Sequence, residues 1–367
     1  MRGIAVSLAL ASAACAGPEV SAHATSAPIV EATEARAEPG TGADVAADVA
    51  ADVAAEALDE PAPGPEPDPI AALMAMDGSQ STSVGGPNDG RVEGAVALPA
   101  TAPGLRSNPR RPNAEALYGT VEVVQALVDA ARVVHESLPG GELVVNDLGL
   151  REGGPIAHHG SHRAGRDVDV LFYLLDRAGQ PTPSVGAFLD PRGRGFDFRD
   201  LTDPRDDHLV RLDAPRTWRF VQALLEGPHA PLVQRVFVVE HLRTLLLAEA
   251  ERARAPRAIR DRFAEITCQP GYPHDDHLHI RFFCTPEDLA AGCEDTGPTY
   301  FWRAQALRAV GLAPVPHRPR RDRPMPPRTS AAEARERAGP MHARVQEWLT
   351  RRESWSREPR PGRTFCR

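Results

Sequence analysis

The sequence predicts an α+β domain, built on a small, largely antiparallel sheet with flanking helices. Three observations lead there. Between Gly119 and Ser137, apolar residues recur at Val121, Val124, Leu127, Val128, Ala131 and Val134, the spacing of one helical face. Asp167 to Leu174 instead alternates, with Val168, Val170 and Phe172 on one side and Asp167, Asp169, Leu171 and Tyr173 on the other, as a half-polar strand does. Helical and strand segments then follow one another without the regular strand–helix–strand rhythm of a parallel sheet.

In chain order, the first segment is an export signal over residues 1–24. Arg2 supplies a positive charge, Ile4 to Ala14 an apolar run, and small residues follow. Two processing routes are open: cleavage at Ala14-Cys15-Ala16 or Ala22-His23-Ala24, or lipid attachment at Cys15. The apolar run is too short to span a bilayer. Residues 25–108 read as a disordered tether. They are poor in aromatics and rich in Ala, Pro, Gly, Asp and Glu, with an Ala-Asp-Val-Ala repeat from Ala43 and a Pro-rich run from Pro61 to Pro69.

The folded domain is expected over 109–312. After the helix ending at Pro139-Gly140-Gly141, Glu142 to Leu150 reads as a strand, followed by the Asp167 to Leu174 strand. Asp176 to Asp213, rich in Gly, Pro and Asp, reads as a long functional loop. Thr217 to Leu225 is a short helix, Arg235 to Val239 a strand, Leu242 to Ala253 a helix and His277 to Phe283 a strand. Residues 313–367 form a Pro/Arg-rich C-terminal extension, with a solvated helix over Ala331 to Arg352 interrupted at Gly339-Pro340.

Charge excludes little about the substrate. The net charge of -8 comes largely from the tether, where Arg36 stands against eleven acidic residues between Glu31 and Ile70. All basic residues are Arg and form no strongly basic face, so nucleic acid is not an expected partner. Apart from Cys15 there are four cysteines, an even number suited to disulfides in an exported chain. Three pairings are possible. The favoured one closes a local Cys284–Cys293 loop and staples the C-terminal end through Cys268 and Cys366.

Six of the thirteen histidines fall in two windows, His158-His159-Gly160-Ser161-His162 through Asp169, and His274-Asp275-Asp276-His277-Leu278-His279. Mixed imidazoles and carboxylates suit a zinc-class metal. On a strand, His277 and His279 project to one face. His162, Asp169 and His279 supply two imidazoles and one carboxylate, leaving a fourth position open for catalysis. Spacing alone does not choose between Asp167 and Asp169. His158 reads as structural, and the histidines outside the windows as surface residues.

The pattern His159-x-x-His162-x-x-Gly165-x-x-x-Asp169, joined to His274-x-x-His277-x-His279, resembles the penicillin-insensitive murein endopeptidases. The wider His-x6-Asp and His-x-His signature is that of the LAS metallopeptidases, which share a fold with the Hedgehog signalling domain. The resemblance covers roughly Tyr118 to Cys293. It implies that His162, Asp169 and His279 hold one zinc ion per chain, and it selects Asp169 over Asp167. It makes His277 the catalytic histidine, with His159 and His274 as further active-site histidines. It further implies a periplasmic or cell-envelope enzyme that hydrolyses D,D-peptide cross-links of peptidoglycan by zinc-activated water. Three rivals stand beside it: a D-alanyl-D-alanine carboxypeptidase or dipeptidase, a non-catalytic zinc- or wall-binding protein, and a non-haem iron oxygenase.

Overall fold

A computed structural model describes residues 68–111, 113–184, 186–318, 331–356 and 366. The expectations of an export signal over 1–24, of cleavage or lipid attachment near Cys15, and of a tether over 25–67 lie outside the described residues. The centre is a seven-stranded sheet made of β1 (Thr101–Ala102), β2 (Leu105–Ser107), β3 (Leu143–Val145), β4 (Asp167–Leu171), β5 (Val233–Phe237), β6 (Thr267–Cys268) and β7 (His277–Phe282). Its order is β6-β5-β7-β4-β3-β2-β1. Pairing is antiparallel except between β2 and β3 and between β5 and β6. The mixed α+β expectation with a largely antiparallel sheet therefore matches, although the sheet is wider than anticipated.

Helix α1 (Val121–Ser137) carries the predicted apolar face, and all six of its periodic residues are buried. Burying a side chain such as Leu127 contributes about 1.5–3 kcal/mol. The first turn leaves backbone N–H groups unpaired within the helix, and Ser81 Oγ accepts one of them from Val121 at 2.8 Å. Helix α2 (Ala214–Glu226) starts on an Asp213 side-chain cap followed by Pro215 and ends at Gly227. It packs on α1, on α3 (Glu240–Arg252) and on α4 (Arg257–Ile266). Together these helices cover one face of the sheet, with Trp218 and Phe263 fully buried and ring centroids 5.4 Å apart.

Three boundaries differ from the sequence reading. The tether expected over 25–108 does not include its last stretch. From Asp68 the chain forms a short helix (Pro69–Met74), a hairpin (Thr82–Val84 with Arg91–Glu93) and then β1 and β2. Leu73, Val92, Leu98 and Leu105 are buried there. These scattered apolar residues could not fold alone, but they complete a core that α1 and β3 provide. The fold thus takes in residues from Asp68 onward and does not wait for Asn108. Asp176 to Asp213 is likewise not one long loop. It supplies three strands of a four-stranded antiparallel sheet ordered Pro181–Thr182, Leu174–Leu175, His208–Leu212, Arg194–Asp197, the Leu174–Leu175 strand coming from just before it. The Asp residues that suggested a loop make its turns: Asp176 Oδ1 accepts from Gln180 N, and Asp190 Oδ1 from Arg192 N and Arg194 N.

The third difference lies in the C-terminal extension, which is a docked structure. Helices α5 (Ala331–Ala338) and α6 (Ala343–Ser356) flank Gly339-Pro340, and Val345, Trp348 and Leu349 are buried with Phe188, Phe198 and Leu201 in a second apolar cluster. The disulfides are Cys284–Cys293 and Cys268–Cys366, the favoured pairing. Among the described residues, no helix is long and apolar enough to cross a membrane.

Candidate metal centre

Register builds the site. In the β4–β7 pair, Asp169 stands opposite His279, Leu171 opposite His277 and Asp167 opposite Arg281. Because strand side chains alternate, the two carboxylates share one face with both imidazoles and the guanidinium. A slip of one residue would turn all of them into the helix-covered core. Phe237 lies opposite His279 on β5, its ring edge-on to the imidazole at 4.9 Å. His162 comes from the first cluster through a tight turn at φ 67°. Gly149 allows that turn to close, since a Cβ there would meet the His162 carbonyl oxygen at 2.9 Å.

Asp169 is the hub. Its Oδ1 lies 3.4 Å from His162 Nε2, 3.3 Å from His279 Nδ1 and 3.5 Å from His277 Nε2. Its Oδ2 lies 3.6 Å from His159 Nδ1. His274 completes the ring of imidazoles, 4.7 Å from His277 and 5.6 Å from His279 between centroids. The structure thus brings together all six residues singled out in the sequence.

Each imidazole is tied at its other nitrogen. His162 Nδ1–H donates to the Leu148 carbonyl at 2.6 Å, His279 Nε2–H to Asp167 Oδ1 at 2.7 Å, and His277 Nδ1–H to Asp276 Oδ1 at 2.8 Å. His274 Nδ1–H donates to the Tyr272 carbonyl at 2.8 Å, and His159 Nε2–H to Asp147 Oδ2 at 3.0 Å. These acceptors orient the rings, and the second nitrogens of His162, His279, His277 and His159 face the Asp169 carboxylate. Asp147 and Asp276 are the contributors that the sequence reading passed over. Their signals were a carboxylate just past an apolar strand and one immediately before the second motif's central histidine. His158 takes φ 69° and serves the turn.

Electrostatics follow from this burial. Burial opposes the Asp169 charge, yet the surrounding His277, His162 and His279 hold its carboxyl well below the usual range. Burial also pushes His277 down, but Asp276 and Asp169 outweigh it and carry the imidazole up to about 9. For His274, burial and the neighbouring His277 and His279 act together and hold it well below normal. His279 falls to about 4, burial outweighing its carboxylates.

Among the buried atoms without a hydrogen-bond partner are His162 Nε2 and Asp169 Oδ1, which lie 3.4 Å apart. An unpaired buried lone pair beside an unpaired buried carboxylate oxygen is costly unless a cation joins them. The donor chemistry therefore fits zinc. Two third donors compete. His159, His162 and Asp169 have ligand atoms all within 4.8 Å of one another, whereas His279 Nδ1 faces the same carboxylate oxygen as His162 Nε2.

Fold and site together define a mixed α+β protein with an imidazole–carboxylate centre of the kind that hydrolytic metalloenzymes use. The comparisons carry this further. Residues 83–300, more than half of the chain, match the penicillin-insensitive murein endopeptidase family, and the chain belongs to it. A relative named penicillin-insensitive murein endopeptidase in Klebsiella pneumoniae subsp. pneumoniae is 28% identical over 226 residues, 60% of this chain and 72% of the relative. Proteins of the same name from Pectobacterium atrosepticum and Escherichia coli O1:K1 / APEC are 26% and 25% identical, over 56% and 58% of this chain and 66% and 69% of their own lengths. The family match reaches upstream of Asn108, in line with the earlier start of the fold, and stops before α5 and α6.

Proposed function

We propose that the protein is an exported zinc-dependent endopeptidase that hydrolyses D,D-peptide cross-links in peptidoglycan on a Hedgehog-like domain. His162 Nε2, Asp169 Oδ1 and His279 Nδ1 are its metal ligands. The observation that carries the reading is the convergence of two correctly tautomerised imidazole nitrogens on one buried, unpartnered carboxylate oxygen. His159 faces the other oxygen from farther away and is held by Asp147, which suits a residue lining the substrate cleft. Family membership and the relatives' names support peptidoglycan as substrate. The disulfides and the apolar N-terminal run support export to the periplasm or cell envelope.

Bound there, zinc supplies a Lewis acid that stabilises negative charge developing on the reacting peptide's oxygen. The remaining work falls to the chain. His277 Nε2 faces the hub while Asp276 holds Nδ1–H; a cation at the hub would oppose the carboxylates that keep this ring protonated, freeing Nε2 to take the proton from the attacking water and return it to the leaving amine. Asp276 orients the ring and stabilises the imidazolium formed on the way, as the third member of a triad does. His274, kept neutral by burial and by its neighbouring imidazoles, packs beside His277 with its Nδ1–H held by the Tyr272 carbonyl.

The test is digestion of purified muropeptide dimers by residues 68–367, with and without a zinc chelator, read by mass spectrometry. Dimers should become monomers, and zinc should restore the chelated enzyme. Intact dimers beside trimmed free pentapeptides would replace the reading with a carboxypeptidase. Zinc binding without any hydrolysis would replace it with a binding protein.

A further inference from the structure

Outside the family match, α6 reaches the back of the second histidine motif. Arg352 Nε lies 3.1 and 2.9 Å from the two oxygens of Asp275, and its Nη2 donates to Asp275 Oδ1 at 2.7 Å and to the Tyr272 hydroxyl at 2.8 Å. Trp355 Nε1–H adds a bond to Asp275 Oδ2 at 3.1 Å. Asp275 is wholly buried, and the guanidinium lies 3.7 Å from the Phe188 ring centroid. A fork of this kind fixes position as well as charge.

What it fixes is the segment that presents His274 and His277. The Tyr272 carbonyl takes the His274 Nδ1–H, and His274 itself sits at φ 53°. A side-chain-bearing residue persists in that region only when its surroundings over-determine it. The backbone is pinned as well: Val239 N donates to the His274 carbonyl at 3.1 Å, and Leu189 N to the Asp275 carbonyl at 2.8 Å. The helix that delivers Arg352 is itself anchored by Trp348 Nε1–H on the Phe188 carbonyl and by Arg344 on buried Asp207. Cys366, ten residues past Ser356, is joined to Cys268.

We propose that Arg352 is a positioning residue of the active site. From a helix the family match does not include, it braces residues 272–277 and thereby aims the Nε2 atoms of His274 and His277. The inference rests on the endopeptidase reading for its kinetic consequence, but not for its structural one.

The experiment uses the zinc-loaded full chain, with Arg352→Ala and, as a packing control in the same helix, Val345→Ala. The first readout needs no substrate: hydrogen exchange at the Val239 amide should quicken about tenfold or more in Arg352→Ala, and added methylguanidinium should slow it again. The second is kinetic. In Arg352→Ala, kcat on muropeptide dimers should fall about 10- to 100-fold, the scale of a small misplacement, with KM within about threefold and one zinc per chain retained. Methylguanidinium should restore part of kcat. Wild-type exchange at Val239, or an equal kcat loss in Val345→Ala at a matched melting temperature, would overturn positioning by Arg352. A wild-type enzyme that cleaves no dimers, with the exchange result intact, would sink the endopeptidase reading and leave the brace standing.

Discussion

Replacing Asp167 by Asn tests the ligand set most sharply. Asp167 Oδ1 accepts from His279 Nε2 at 2.7 Å and from Arg281 Nε at 2.6 Å, while Oδ2 accepts from His162 N at 3.4 Å. An Asn of the same shape keeps its carbonyl at the first position, so its NH2 group must face the His162 N–H. The substitution therefore removes the charge that makes His279 a stronger donor to metal, and it sets two N–H groups against each other. Loss of an outer hydrogen-bonding partner costs 10- to 100-fold in metal affinity, or about 1.4 to 2.8 kcal/mol. The zinc-free protein loses a further 1–3 kcal/mol, roughly, from the buried unsatisfied donor. Competition against a chromophoric chelator gives the first quantity and urea unfolding of zinc-free protein the second. Asp147→Asn is the matched control, because Asp147 holds His159. If His159 only lines the cleft, zinc affinity there stays within about threefold. A loss in Asp147→Asn equal to or larger than that in Asp167→Asn would refute the assignment and make His159, His162 and Asp169 the ligands.

The other predictions are briefer. His277→Ala should lower kcat by about 10²- to 10⁴-fold, the contribution of a general acid–base group, with zinc content by atomic absorption unchanged; a metal-free variant would make His277 a ligand. Chelation should lower the melting temperature, because zinc binds only the folded site, and Asp169→Asn should erase that zinc dependence. Cys366→Ser should reduce stability to urea by about 2–4 kcal/mol, given the 98-residue separation that the bridge closes; an unchanged midpoint would show that the C-terminal end is held without it. Glu122 supplies a pH test away from the metal. Burial pushes its carboxyl up from 4.5 to about 7, so between those values the native state holds a proton that the unfolded chain has released, and stability falls as pH rises. The loss amounts to up to about 3 kcal/mol. Glu122→Gln should flatten unfolding free energy across this window, and a profile that keeps the wild-type slope would exonerate Glu122.

The histidine motifs were legible because their spacing is a strand spacing: His277 and His279 on one face, Asp167 and Asp169 on the facing strand, in register by simple alternation. The long helix was legible for the same reason, its periodic residues all being buried. What could not be read was anything that depends on a partner far along the chain. Leu73, Val92 and Leu105 look like isolated apolar residues in a tether until α1 and β3 are in place to receive them. Asp147 becomes a partner of His159 only through the turn that carries the first motif back to the end of β3. Arg352 looks like one arginine among many on a solvated helix, and only the fold brings it to Asp275, 77 residues upstream. The turn-forming Asp residues of 176–213 misled in the opposite direction, since the same chemistry closes hairpins and decorates loops.

The charges around the site explain why the centre is assembled from so many acids. Leaving the imidazoles aside, the buried groups there are the carboxylates of Asp147, Asp167, Asp169, Asp275 and Asp276 against the guanidiniums of Arg281 and Arg352. Three negative charges remain. Uncompensated buried charge costs several kcal/mol per ion, so a fold that keeps this surplus must recover the cost from something positive at the hub. The hydrogen bonds say where. Asp147, Asp167, Asp275 and Asp276 each accept from a donor, whereas Asp169 Oδ1, toward which nitrogens of His162, His279 and His277 are turned, has no hydrogen-bond partner. Every outer carboxylate thus holds a ring or a loop in place, and Asp169 Oδ1 marks the point toward which those rings are turned. A divalent cation at that point balances most of the surplus and uses the lone pairs that the outer carboxylates and carbonyls have set free. The same argument accounts for Arg352: Asp275 ties down the segment that carries the second histidine motif, and without its own buried cation it would add to the surplus.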